Sequence, residues 1–119
     1  MSDAVTIYHN PRCSKSRETL NLLKDNGVEP QVVLYLETPP DANTLRTLLG
    51  QLGMTSAREL MRQKEELYKA LGLADGALSE AELIQAMVEN PKLIERPIVV
   101  ANGQARIGRP PEQVLEIVK

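Results

Sequence analysis

Cys13 is the only cysteine in a chain of 119 residues, and it follows Asn10-Pro11-Arg12 where a strand pattern gives way to a helix pattern. A helix start presents N–H groups without helical partners and about half a unit of positive charge, so a thiol there loses its proton more readily and becomes a nucleophile. The same feature binds oxyanions. A free cysteine is otherwise most often a small buried hydrophobe. Its neighbours argue for chemistry: Arg12, Lys15 and Arg17 crowd the turn and first helical turn with no acid before Glu18. Cations there oppose the helix dipole, at about a few tenths of a kcal/mol each, and a thiolate or bound anion reverses that penalty. Ser16 stands where a C-x-x-C pair would have its second thiol. An internal disulfide cycle is therefore excluded, and Ser16 can at most donate a hydrogen bond to the sulfur. His9, the sole histidine, lies at the expected strand end four residues before Cys13. It could support the thiolate as imidazolium or proton acceptor, or simply be a loop histidine in solvent.

A second group of candidates comes from the C-terminal third. Ile98 to Ala101, Asn102-Gly103 and Gln104 to Ile107 form a hairpin signal, because Asn-Gly suits the type I′ turn that matches strand twist. Counting outward from that turn places Arg96 opposite Arg109, on the face shared by Ile98, Val100, Ala105 and Ile107, with Arg106 on the other face beside Val99. Two cations facing each other on an apolar face repel unless something negative lies between them. Each precedes a proline, Pro97 or Pro110, which biases its backbone to extended geometry. Solvated arginines at the strand ends, or a bulge that breaks the register, are the alternatives. Arg58 and Arg62 are spaced i, i+4 as on one helix; either could reach an anion, although Glu59, Glu65 and Glu66 suggest a solvated charged face.

The elements that must position these residues read as follows. Val5 to Tyr8 is a short strand, Ser14 onward a helix carrying Leu20, Leu22 and Leu23 and stopping at Asn26-Gly27, and Gln31 to Leu36 a second strand. That is a βαβ unit with parallel strands and a right-handed crossover. Thr38-Pro39-Pro40 closes it, and helices follow. Asp41 or Asn43 caps a helix bearing Leu45, Leu48, Leu49 and Leu52 with Gly53 at its end, and two capping boxes, Ser56 with Glu59 and Ser79 with Glu82, start further helices. The second box leads into Leu83, Ile84, Met87 and Val88 before Asn90-Pro91. After the hairpin, Pro111 to Val118 reads as a closing helix with Pro at its start. The expected fold is α/β, one domain over residues 1–119, with helices on a mixed four-stranded sheet.

Composition narrows the function classes. At 119 residues, 42% apolar and 25% charged, the chain reads as one ordinary soluble domain with enough length to bury a core. Fourteen Lys and Arg against sixteen Asp and Glu leave a net charge of -2, so no overall field draws it to nucleic acid or acidic membranes. The longest apolar run, Val32 to Leu36, is far below the ~20 residues of a membrane helix, and the first residues lack the pattern of a secretory signal. A cytoplasmic location is expected, and one cysteine fits a reducing compartment. With one cysteine and one histidine, no structural zinc site is expected.

The constellation resembles the glutaredoxin-coupled arsenate reductase family of the thioredoxin-fold superfamily. The likeness runs through Ile7-Tyr8-His9-Asn10-Pro11-Arg12-Cys13, Ser16-Arg17, Tyr35-Leu36-Glu37, Pro39-Pro40, Arg58-Glu59-Leu60-Met61-Arg62, Asn90-Pro91, and Arg96-Pro97-Ile98-Val99-Val100 to Arg109-Pro110. It implies a thioredoxin-like fold with a helical insertion between the second and third strands, and a cis bond at Pro97. It implies that Cys13 attacks arsenate, that Arg62, Arg96 and Arg109 hold the oxyanion and its covalent adduct, and that His9 and Ser16 serve the thiolate. It further implies no bound cofactor, with glutathione and glutaredoxin as the source of electrons, which suits an enzyme with a single thiol. Arg12, Ser14 and Lys15 depart from the smaller residues of better-known members, and the chain ends soon after its final helix. Two other readings share the scaffold: a regulator like the RNA-polymerase-binding Spx proteins, which typically use the second thiol that Ser16 replaces, and a monothiol redox module without an oxyanion substrate.

Overall fold

The computed structural model describes residues 4–118. Four strands, β1 (Thr6–His9), β2 (Gln31–Leu34), β3 (Ile98–Ala101) and β4 (Gln104–Ile107), form one sheet in the order β2-β1-β3-β4. β1 and β2 are parallel, and β1/β3 and β3/β4 antiparallel. The helices are α1 (Ser14–Asp25), α2 (Ala42–Leu52), α3 (Glu66–Ala70) and α4 (Glu80–Glu89), with 3-10 turns at Ala57–Leu60, Pro91–Leu93 and Pro111–Glu116. This is the mixed α/β arrangement expected of a thioredoxin-like fold, with residues 39–95 inserted between β2 and β3. The described residues form two compact units, 4–38 with 96–118, and 39–95. No helix among the described residues is long and apolar enough to cross a membrane.

The first unit is built on the βαβ crossover and the hairpin. Strand side chains alternate, so Val5, Ile7 and His9 form one buried row under α1. α1 buries Ser16, Thr19 and Leu23, spaced to lie on one face. Leu23 joins Val5, Ile7, Val99, Ala101, Val114 and Ile117 in the core, with Leu20, Val28 and Val118 packed against it. The helix face that covers the sheet is therefore apolar toward its C-terminal end and polar toward the cysteine end. Asn26 ends α1 and Gly27 takes the left-handed conformation, φ 78°, as the Asn-Gly signal requires.

β2 is shorter than its apolar run. The chain turns after Leu34, where the N–H groups of Glu37 and Thr38 both donate to the Leu34 carbonyl at 2.9 Å. β2 is an edge strand whose only partner, β1, ends at His9 opposite Leu34, so no ladder remains for residues 35 and 36. The hairpin has the expected register, with Ile98 opposite Ile107 and Ala101 opposite Gln104, around Asn102 and Gly103 at φ 54° and 76°. Both Arg96-Pro97 and Arg109-Pro110 bonds are cis.

Gly108 fixes how closely the hairpin end approaches α1. A Cβ there would collide with Thr19 Oγ1 and lie 2.9 Å from Pro97 Cγ. Thr19 is fully buried and its hydroxyl donates to the Lys15 carbonyl at 2.8 Å, so it has little room to yield. Gly108→Ala is expected to cost roughly 1–3 kcal/mol through overpacking. Thermal melts should show a drop of several degrees; an unchanged melting temperature would mean that the helix and hairpin end can separate freely.

In the second unit, α2 begins at Asp41, whose carboxylate accepts from Thr44 N–H at 2.8 Å, and ends at left-handed Gly53. The Ser79–Glu82 capping box is complete. The Ser56–Glu59 box is not, which corrects the helix expected there. Glu59 Oε2 instead accepts from the Thr55 hydroxyl at 2.7 Å, and Ser56 Oγ donates to Glu80. One 3-10 turn results, and Met61 continues extended to bridge Ile94. Arg58 and Arg62 consequently do not share a helix.

Candidate active site

His9 ends β1 in the buried row, and the next four residues turn the chain into α1. Asn10 organises that turn: its carbonyl accepts from Cys13 N–H and its side-chain oxygen from Arg12 N–H, each at 3.0 Å. Arg17 reaches back to donate to the Pro11 carbonyl at 2.8 Å. Ser16, fully buried, accepts from Asn10 N–H at 3.0 Å and lies 2.6 Å from His9 Nδ1. The loop is thus pinned to the end of the sheet from both sides.

His9 is 6% exposed, not a solvated loop residue. Burial, then the charges of Arg17 and Lys24, hold its pKa below the usual histidine value. The neutral ring is thereby favoured over the imidazolium, which leaves His9 a hydrogen-bonding role. Ser16 is engaged by His9 and Asn10, and its hydroxyl makes no hydrogen bond to the sulfur.

Cys13 is the N-cap residue of α1, partly exposed, and its side chain caps no N–H. Burial pushes its thiol pKa up, but the Ser16 N–H, the Arg96 charge, the Lys15 N–H and the Arg109 charge together bring it below the ordinary thiol value. The two N–H groups act as dipoles at the helix start rather than as formed hydrogen bonds.

The cationic partners come from the hairpin. Gly108 N–H donates to the Pro97 carbonyl at 2.9 Å, which carries the pairing one step beyond Ile98 and Ile107. Arg96 and Arg109 follow just beyond the paired residues, where Arg109 N–H turns back to the Ile107 carbonyl at 2.9 Å. Arg109 Nε donates to the Arg96 carbonyl at 2.9 Å while its Nη2 donates to Cys13 Sγ at 3.7 Å. The repulsion expected of this pair is therefore eased: the Arg109 guanidinium is anchored on the Arg96 backbone and reaches the sulfur, whose pKa both charges lower. Gly108 and Thr19 escaped the sequence reading. The glycine beside Arg109 was the available signal, but close approach to a helix depends on tertiary packing.

Arg62 and Arg58 belong to the second unit. Arg62 N–H donates to the Leu93 carbonyl at 2.7 Å, and its guanidinium pairs with Glu65 at 3.1 Å. Arg58 is spent on structure, donating to the carbonyls of Leu73 and Asp75 at 3.1 and 2.9 Å.

The sequence profile of the ArsC family matches residues 8–117. An arsenate reductase of Haemophilus influenzae is 52% identical over 115 residues, 97% of this chain and 99% of that protein. A protein of Escherichia coli K12 named Uncharacterized protein YfgD is 81% identical over 118 residues, 99% of each chain. The solved structure of an arsenate reductase from Vibrio cholerae superposes with a TM-score of 0.96 at 62% identity, covering 98% of this chain and 99% of that one.

Proposed function

Because this chain belongs to the ArsC family, we propose that it is an arsenate reductase that works through a Cys13 thiolate–arsenic adduct and takes its electrons from glutathione and glutaredoxin. The observation that carries this reading is the Arg109 guanidinium on the Cys13 sulfur, anchored at the same time on the Arg96 carbonyl. A guanidinium fork matches the edge of a tetrahedral oxyanion and offsets charge as arsenic is attacked. Arg62, in the family pattern, is the third arginine of the oxyanion site.

The thiolate displaces one oxygen of hydrogen arsenate, which takes up two protons and leaves as water while the sulfur–arsenic bond forms. Glutathione thiolate then attacks Sγ. A sulfur–sulfur bond forms, the sulfur–arsenic bond breaks, and its electron pair stays on arsenic, which falls from the pentavalent to the trivalent state. Arsenite leaves after protonation, and glutaredoxin thiolate removes the glutathionyl group to restore Cys13. His9 and Ser16 hold the loop so that the sulfur faces the arginines. Their role is positioning.

Alkylation of Cys13 against pH, with and without arsenate, tests the site. The midpoint is expected below the free-thiol value of about 8.5, and arsenate should slow alkylation by occupying the arginines. A midpoint at the free-thiol value with no arsenate effect would overturn the proposal.

A further inference from the structure

We propose that the groove between the cysteine loop and the end of β2 is the binding site for the tripeptide thiol glutathione, which rests on the reading of the site given above and adds where the co-substrate sits. The groove, about 290 Å³, is lined by His9, Asn10, Pro11, Arg12, Leu34, Leu36 and Glu37. Its volume is close to the lower end of small-molecule sites, about 300 Å³. Leu34 and Leu36 give it apolar surface, and Leu36 is 43% exposed, unusual for a leucine beside a strand end. Arg12 and Glu37 bring opposite charges to the same lining. Among the described residues no hydrogen bond or ion pair engages either side chain, and the two are not paired with each other.

An unpaired cation and anion on one small groove match a zwitterionic guest. Glutathione carries two carboxylates and one ammonium with its thiol between the two ends, so Arg12 would take a carboxylate and Glu37 the ammonium. One wall is the cysteine loop itself: Arg12 precedes Cys13 directly, and Cys13 N–H donates to the Asn10 carbonyl at 3.0 Å. Three extended residues span about 10 Å, so a tripeptide in the groove lies against the loop that leads into Cys13. The arginines that would grip the oxyanion come from the hairpin, whereas the groove is made by the loop and β2. Oxyanion and thiol peptide would therefore be held by separate elements.

The test uses Cys13 without arsenate. Reduced protein is mixed with glutathione disulfide or with uncharged hydroxyethyl disulfide, and mixed-disulfide formation is followed by intact mass for wild type, Arg12→Ala and Glu37→Ala. In this reaction Cys13 thiolate attacks the disulfide, one half becomes the mixed disulfide and the other leaves as thiolate. Each variant is expected to lose about five- to tenfold in rate with glutathione disulfide and to react unchanged with hydroxyethyl disulfide. Equal rates for all three proteins with glutathione disulfide, or an equal loss with both disulfides, would overturn the proposal, the latter by showing an effect on thiol reactivity alone. Absence of arsenate turnover in wild type would count against the reductase reading only, because neither disulfide reaction involves arsenic.

Discussion

Cys13→Ser is expected to abolish arsenite formation from arsenate, glutathione and glutaredoxin, on the order of 10⁴-fold or more below wild type. A serine hydroxyl stays protonated at neutral pH, and neither the helix dipoles nor the arginines can ionise it. The fold should not suffer. Cys13 is the N-cap of α1 but caps nothing with its side chain, and serine is among the preferred N-cap residues, worth about 0.5–2 kcal/mol relative to a non-capping side chain. The variant should melt at or above the wild-type temperature. Loss of activity with retained stability identifies the sulfur as the reacting atom; substantial residual turnover would place the chemistry elsewhere.

Arg96→Ala and Arg109→Ala are each expected to lower kcat/KM for arsenate by about 10²- to 10³-fold, the scale for removing one preorganised donor from a developing oxyanion. The two should also raise the Cys13 pKa, since both guanidinium charges favour the thiolate. The sign follows from charge: removing a cation destabilises the ionised form, so a higher pH is needed to reach it. Alkylation midpoints would therefore move up in both variants. Arg109→Ala removes in addition the hydrogen bond to the Arg96 carbonyl, so Arg109→Lys, which keeps the charge without the fork, should restore the thiol's midpoint better than it restores arsenate turnover. Variants with wild-type turnover would mean that the arginines hold only the hairpin end.

The hairpin register was legible from Asn102-Gly103 alone, because a two-residue turn with two left-handed positions determines every pair outward from it. The expectation that Arg96 and Arg109 meet at the hairpin end follows from that count. The cysteine at the helix start was legible from the Asn10-Pro11 turn signal and the helical pattern after Ser14. Less legible were the strand limits and the first capping box. β2 stops at Leu34 because its neighbour ends, which no property of Tyr35 or Leu36 announces. Ser56 and Glu59 have the spacing of a box, but Thr55 and Glu80, the latter 24 residues from Ser56, compete for the same groups.

What the amino-acid sequence determined by itself is what depends on local geometry: a lone thiol at a helix N-terminus, a turn that pairs two arginines, and the absence of any second thiol for an internal disulfide. Tertiary structure decided which groups act on that thiol. His9 is buried and its pKa lowered because α1 lies over its strand row, Ser16 is committed to His9 and Asn10, and Gly108 lets the hairpin end close against Thr19 so that Arg109 reaches the sulfur. These outcomes depend on desolvation and on contacts between residues as far apart as 13 and 109, quantities that arise only when the elements pack.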